Sequence, residues 1–162
     1  MSERTVAISL KIPDNAAYTT LTTLQRLGID VARVERSDVW RVDDGGDAST
    51  FSARIESNET IFNPNKHRLL ILDQPRPRDG EVWIAQTALP FERPAAGNGS
   101  DLGSSEQLGG KVIPGITRAY RYVGWRLLRA GGEPVEGAVV RRAAELLLCN
   151  PAIEIAHFKE AE

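Results

Sequence analysis

The residues best equipped to hold a ligand fall in one turn. Asn63, Pro64, Asn65, Lys66, His67 and Arg68 stand together between the apolar runs Ile61-Phe62 and Leu69-Leu70-Ile71-Leu72. Two amides, an ammonium, an imidazole and a guanidinium this close supply donors suited to an anion such as a phosphate. Flanking strands would present them rigidly, so Asn63, Asn65, Lys66, His67 and Arg68 form the candidate anion-binding set. The plainer alternative is a strand-connecting turn, where Asn and Pro set the geometry and basic residues are merely exposed. Residue types alone favour that alternative.

A second grouping is Arg118, Arg121, Trp125 and Arg129. On a helix over residues 116–130 they lie near one face. An arginine stripe with an aromatic suits an acidic partner protein or a nucleic-acid backbone. The alternative is a solvated face with Trp125 half-buried, which the slight net acidity favours.

Other chemistry is missing from the sequence. It contains no phosphate-binding loop, Rossmann fingerprint or nucleophile elbow. His67, His157 and Cys149 are too few for a structural zinc site, and no metal or cofactor is expected. No pair of carboxylates is singled out by spacing, so no catalytic residue is assigned. His157 reads as a strand residue with a satisfied ring, and Cys149, on the run Leu146-Leu147-Leu148, as a small buried hydrophobe.

The 162 residues suffice for one ordinary domain, and 41% hydrophobic content is enough for a packed core. A net charge of −2 argues against nucleic acid as the default partner. One cysteine excludes an internal disulfide and fits a reducing compartment. The apolar run at residues 6–10 is too short for a signal peptide or a membrane span. The expectation is a cytoplasmic protein that does not engage membranes.

These side chains must be positioned by elements that the patterning suggests. Val6, Ile8 and Leu10 alternate with polar or small residues, predicting a half-buried strand over residues 5–11. Pro13-Asp14-Asn15 starts a helix at residues 16–27, with Ala17, Leu21, Leu24 and Leu27 on one stripe and Gly28 as its stop. Residues 31–43 read as a hairpin turning at Ser37-Asp38. Strands are expected at residues 51–55, 69–72 and 81–86. Residues 93–110, rich in Gly, Ser, Asn and Ala, read as a flexible loop. Residues 116–130 read as a helix, although Tyr120, Tyr122 and Gly124 also suit a strand. A last helix opens at Glu133-Pro134, with Val135, Val139, Ala143, Leu146 and Leu147 as its apolar face. Asn150-Pro151 stops it before a closing strand through Ile153, Ile155 and His157. No internal repeat is read from the sequence.

This order predicts an α+β fold. Residues 1–43 and 133–162 make a ferredoxin-like β-α-β-β-α-β antiparallel sheet with two helices on one face. Residues 44–132 make a large insertion between strand 3 and helix 2. The closing strand is expected beside the first, in one shared interior.

The two ends also resemble the PurS family, the small subunit of phosphoribosylformylglycinamidine synthase. Leu10, Lys11 and Asp14 stand where that family ends its first strand and turns into a helix. In the tail, Leu147 and Leu148, a small residue, then Asn150-Pro151 lead to Ile153-Glu154 and the last strand, as the family's closing segment does. The chain departs in having Ser37-Asp38 where the family's hairpin usually reads Gly-Lys, and in residues 44–132, which have no counterpart. Family members are about half this length, the size of a minimal domain. The resemblance implies a non-catalytic, ferredoxin-like protein that forms homo-oligomers through its sheets. Such proteins bridge a large ATP-dependent synthetase subunit and a glutaminase subunit in purine biosynthesis. The alternative is a stand-alone binding or regulatory module that recognises an anionic metabolite.

Overall fold

The computed structural model of the chain describes residues 2–86 and 113–159. They form an α+β structure around one six-stranded antiparallel sheet. Strand β1 (Ser2–Leu10) leads to α1 (Asn15–Arg26), then β2 (Arg33–Asp44), a 3-10 turn and α2 (Phe51–Glu56), and β3 (His67–Leu72). Next come β4 (Glu81–Gln86), β5 (Ile116–Leu128), α3 (Gly137–Ala143), which widens into a π turn (Ala144–Leu148), and β6 (Glu154–Phe158). Across the sheet the order is β3-β1-β2-β5-β4-β6.

That order contains a repeat. Read from one edge it is β3-β1-β2; read from the other it is β6-β4-β5. The second half of the chain therefore lays down the same three-strand arrangement as the first, facing it across the β2–β5 seam. Register supports the correspondence. Val6 pairs with Trp40 across β1–β2, and Val82 pairs with Trp125 across β4–β5. Ile8 pairs with Leu69, and Ile84 with Ala156. At the seam, Arg36 lies opposite Trp125 and Arg121 opposite Trp40. Aligned this way, β2 and β5 share the pattern Arg-x-x-Arg-x-x-x-Trp-Arg, carried by Arg33, Arg36, Trp40 and Arg41 in one and Arg118, Arg121, Trp125 and Arg126 in the other.

The turns repeat too. Asn63 and Asn150 each precede a proline and open the last strand of their half. The Asn63 N–H donates to His67 Nδ1 at 2.8 Å, and the Asn150 N–H to Glu154 Oε1 at 2.8 Å. Each Asn side chain accepts from the N–H two residues on, Asn65 at 2.9 Å and Ala152 at 3.1 Å.

The three helices among the described residues pack on one face of the sheet, over two interiors. One gathers Val6, Ile8, Trp40 and Val42 under Phe51 and Ile55 of α2. The other gathers Val82, Ile84 and Leu127 under Leu24 of α1 and Val140 and Ala143 of α3, with Trp125, Ala156 and Phe158 at its margin. Asp14 starts α1 as expected, accepting from the Ala16 and Ala17 N–H groups.

Several expectations need correction. Residues 33–44 are one strand and not a hairpin. β2 is central, and Ser37 and Asp38 are paired on both sides, with Ser9 and Ile8 of β1 and with Gly124 and Val123 of β5. Residues 51–55 are helical, because Phe51 and Ile55 stand one turn apart and both enter the core. Residues 116–128 are strand β5, which satisfies its backbone against β2 and β4. The apolar face of the last helix does not include Leu146 and Leu147, which are exposed. The π turn rotates Leu148 inward instead. The sheet has six strands where four were expected, since residues 44–132 supply β3, β4 and β5. Closing strand β6 pairs with β4 and not with β1, and Ile153 and Ile155 are exposed. The strands at residues 69–72 and 81–86 are present. The loop expected at residues 93–110 lies outside the described residues.

Candidate functional site

Because strand side chains alternate, the residues between those of the helix-bearing face point to the other side. There Ala7, Val39, Trp83, Ala85, Tyr120 and Tyr122 form a third buried cluster, with Leu72 at its margin. None of its members belongs to a helix. On this face a conspicuous polar group accumulates. Among the described residues, Thr5 Oγ1, Arg41 Nε, Trp83 Nε1 and His157 Nε2 are the buried side-chain polar atoms with no hydrogen-bond partner. All four lie on this one face. Register places them as two pairs, Thr5 beside Arg41 and Trp83 beside His157, four residues apart along the strands.

Tyr122 is the hub. Its ring centre lies 5.2 Å from that of Trp83, 5.6 Å edge-on from that of His157, and 6.0 Å from the Arg41 guanidinium carbon. The same guanidinium carbon sits 4.6 Å from the centre of the Tyr120 ring, a cation–π contact. The nearest carboxylate oxygen paired with Arg41, Glu3 Oε2, is 3.9 Å from Nη1. Burial pushes the Tyr122 phenol up to about 12, against the opposing charge of Arg41. Burial and then Arg41 push His157 down from its ordinary value, so the ring is neutral at pH 7. Thr5 and Trp83 are each 2% exposed.

Gly124 makes this packing possible. A Cβ there would stand 3.0 Å from Ser37 Oγ and from Val39 Cγ2, and 3.3 Å from Glu81 Oε2. On the other side of the glycine the polar groups are satisfied. The buried Glu81 carboxylate accepts from the Arg78 N–H at 2.9 Å, Nε at 3.1 Å and Nη2 at 2.9 Å.

A second buried carboxylate, Asp44, is equally complete. It takes Arg4 Nε at 2.7 Å, Arg54 Nη1 and Nη2 at 2.8 Å, and the Gly46 N–H at 2.8 Å. The Arg54 hydrogen bonds hold its carboxyl well below the usual carboxylate range, with Arg4 adding to the effect. It ties β1, β2 and α2 together, and Arg54 also donates to the Pro114 carbonyl at 2.7 Å. With every group engaged, its role is structural.

The residues singled out by sequence fare differently. Asn63 and His67 are occupied in the turn, and its twin at residues 150–154 keeps the geometry without the cations. His67 pairs with Leu10 and Arg68 with Ser9, so their side chains leave β3 on opposite faces. Arg118 and Arg121 also leave β5 on opposite faces, with Trp125 on the Arg121 side; they do not make the single stripe expected of a helix. Arg129 bonds Asp30 and Glu136. Lys11 donates to the Pro64 carbonyl at 2.8 Å. Cys149 is half-buried, and burial pushes its thiol up, away from nucleophilic character. The cluster around Tyr122 was missed because Tyr120 and Tyr122 share a face only in a strand.

Among the described residues no group of His, Cys, Asp and Glu could hold a metal ion, and no helix is long and apolar enough to cross a membrane. A scan against models of known protein families finds no match for the chain, and a search of curated proteins finds none at the threshold applied.

Proposed function

We propose that this chain is a PurS-like, non-catalytic subunit in which two copies of the small unit are joined in one polypeptide. It would hold together the synthetase and glutaminase subunits of a phosphoribosylformylglycinamidine synthase in the cytoplasm. The observation that carries this reading is the repeat. Each half lays three strands in the same order across the sheet, and each places an Asn-Pro turn before its last strand. The family-like tail at Leu147, Leu148, Asn150, Pro151, Ile153 and Glu154 is the second occurrence of that closing turn. The excess length over the family then has a simple origin, and a three-strand arrangement used twice replaces the ferredoxin-like order with its insertion.

In this reading the β2–β5 seam does within one chain what sheet association does between two short subunits. One copy of this chain should take the place of two PurS subunits in the assembly. The test is co-purification with the large synthetase and glutaminase subunits in the presence of ADP and glutamine. Recovery of a complex holding one chain where two short subunits would sit supports the reading. No association under those conditions discards it.

A further inference from the structure

We propose that the cleft where β1 and β2 part binds the oxyanion of a small molecule, a phosphate or a carboxylate, on Arg68, Ser9 and Ser37. The proposal does not rest on the subunit reading.

The cleft comes from an interruption in pairing. β1 and β2 stay together only as far as Ser9 and Ser37, while β1 follows β3 on through Leu10 and His67. The Lys11 N–H then donates to the Lys66 carbonyl at 2.7 Å. Residues 33–36 of β2 pair with β5 alone. Where the two strands diverge lies a cavity of about 650 Å³. Ser9, Ser37 and Arg68 line it, and the next row of the same face adds Ala7 and Leu70 as an apolar floor.

The charge of the cleft is opposite to that of the chain. Among the described residues Lys11, Arg33, Arg36, Arg68 and Arg78 line it against Asp14 and Glu35, in a chain of net charge −2. Most of these groups are engaged. Arg36 holds Asp14 at 3.1 Å, Arg33 holds Glu35 at 2.7 Å, Arg78 holds Glu81 at 2.9 Å, and Lys11 donates to the Pro64 carbonyl at 2.8 Å. Arg68 is exposed and has no ion pair or hydrogen bond from its side chain among the described residues. Register sets it beside two hydroxyls that also lack a partner there. Ser9 pairs with Arg68 on one side and with Ser37 on the other, so the three side chains stand in one row on one face. Gly124 continues that row beyond Ser37 without a side chain to crowd it. Neighbouring strands lie about 4.8 Å apart, so the long arginine side chain reaches a group seated over Ser9. A guanidinium and two hydroxyls then donate to an acceptor-only group with several lone pairs. The surrounding cations keep the local field positive and favour an anion over a neutral ligand.

The experiment uses the full chain, with inorganic phosphate and citrate as probes and sodium chloride at matched ionic strength as control. Thermal unfolding should shift upward with one or both probes, by about 3–5 °C at a tenfold excess over the dissociation constant. Which probe acts tells phosphate from carboxylate. Arg68→Gln should abolish the shift and leave the unliganded melting temperature in place, since that side chain has no partner to lose. Ser9→Ala and Ser37→Ala should each weaken binding several-fold. Lys66→Gln, close by in the chain but outside the cavity lining, should keep the full shift. No shift beyond the chloride control with either probe overturns the proposal. So does a shift that survives Arg68→Gln, or one that Lys66→Gln removes.

Discussion

The two halves of the molecule agree on one face of the sheet and disagree on the other. Beneath the helices, Val6, Ile8, Trp40 and Val42 have Val82, Ile84, Trp125 and Leu127 as counterparts. On the opposite face Thr5 answers to Glu81, Ala7 to Trp83, Ser37 to Tyr122 and Val39 to Gly124. The side that builds each interior tolerates little variety, because packing fixes volume and polarity. The side away from the described helices has been filled differently in each half. In one half the buried Glu81 carboxylate is held by Arg78 from the preceding turn; in the other Arg41 lies against the rings of Tyr120 and Tyr122. The shared residues are those that build the two interiors; the divergent ones lie on the opposite face.

The largest test of that division compares the tryptophans. Trp40 is 3% exposed while Trp125 is half-buried at the margin of its interior. Trp40→Ala should cost about 3–5 kcal/mol in urea unfolding, and Trp125→Ala clearly less. The reverse order would mean that the second interior, and not the first, dominates stability.

Next is the place where the central strands end. The first half reaches it with the buried Asp44, the second with Arg129. Asp44→Asn leaves Arg4 and Arg54 without their carboxylate and should cost about 3 kcal/mol. Arg129 bonds Asp30 and Glu136, whose side chains are 89% and 74% exposed, so Arg129→Gln should cost under about 1 kcal/mol. The pH dependence has a definite sign. The folded pKa of Asp44 is depressed, so its contribution is fully present above the unfolded value of about 3.9 and is lost as pH falls toward the folded one. The gap between wild type and Asp44→Asn should therefore close below about pH 4. A gap that persists unchanged into acid would show that the loss comes from packing.

Much of the local structure was legible in the sequence, and the repeat was not. Alternation at Val6, Ile8 and Leu10 and the Asp14 cap announced β1 and α1, since both signals are local. The long central strands were misread because their partners are remote. Ser37-Asp38 resembles a turn until β1 and β5 are laid on either side of it. Ile116, Ala119, Val123 and Leu127 fit a helical stripe as well as a strand. Assigning a hairpin to β2 and a helix to β5 hid the fact that both carry Arg-x-x-Arg-x-x-x-Trp-Arg. With the repeat hidden, the cluster of Arg41, Trp83, Tyr120, Tyr122 and His157 had no face on which to assemble. The Asn-Pro dipeptide occurs at both Asn63 and Asn150, but only the first is followed by cations, so residue types alone do not mark the two turns as equivalent.

Gly124 sharpens the comparison on the face away from the described helices. Its counterpart is Val39, which is fully buried. Gly124→Val would restore sequence symmetry between the halves, yet its side chain would run into Ser37, Val39 and Glu81. Overpacking of this kind should cost about 1–3 kcal/mol and disturb the Glu81–Arg78 pair. Gly124→Ala should show the same direction with a smaller loss. A neutral or stabilising Gly124→Val would mean that the asymmetry of this face is incidental to its packing.

The smallest effects separate the two Asn-Pro turns from the cations beside one of them. Asn63→Ala and Asn150→Ala each remove an acceptor for the backbone N–H two residues on, at 2.9 Å and 3.1 Å. Each should cost about 1 kcal/mol, and by similar amounts, because the two turns share their bonding. Lys66→Ala and Arg68→Ala should stay within about 0.5 kcal/mol, as exposed substitutions do. The contrast tests whether the turn is a structural device used twice. If Lys66→Ala or Arg68→Ala destabilised the chain as much as Asn63→Ala, the cations would belong to the turn's architecture and the match with residues 150–154 would lose its meaning. Equal losses at Asn63 and Asn150 with silent cations would instead make the paired turns the simplest marker of the repeat, readable in a sequence wherever two such turns each open the last strand of a unit.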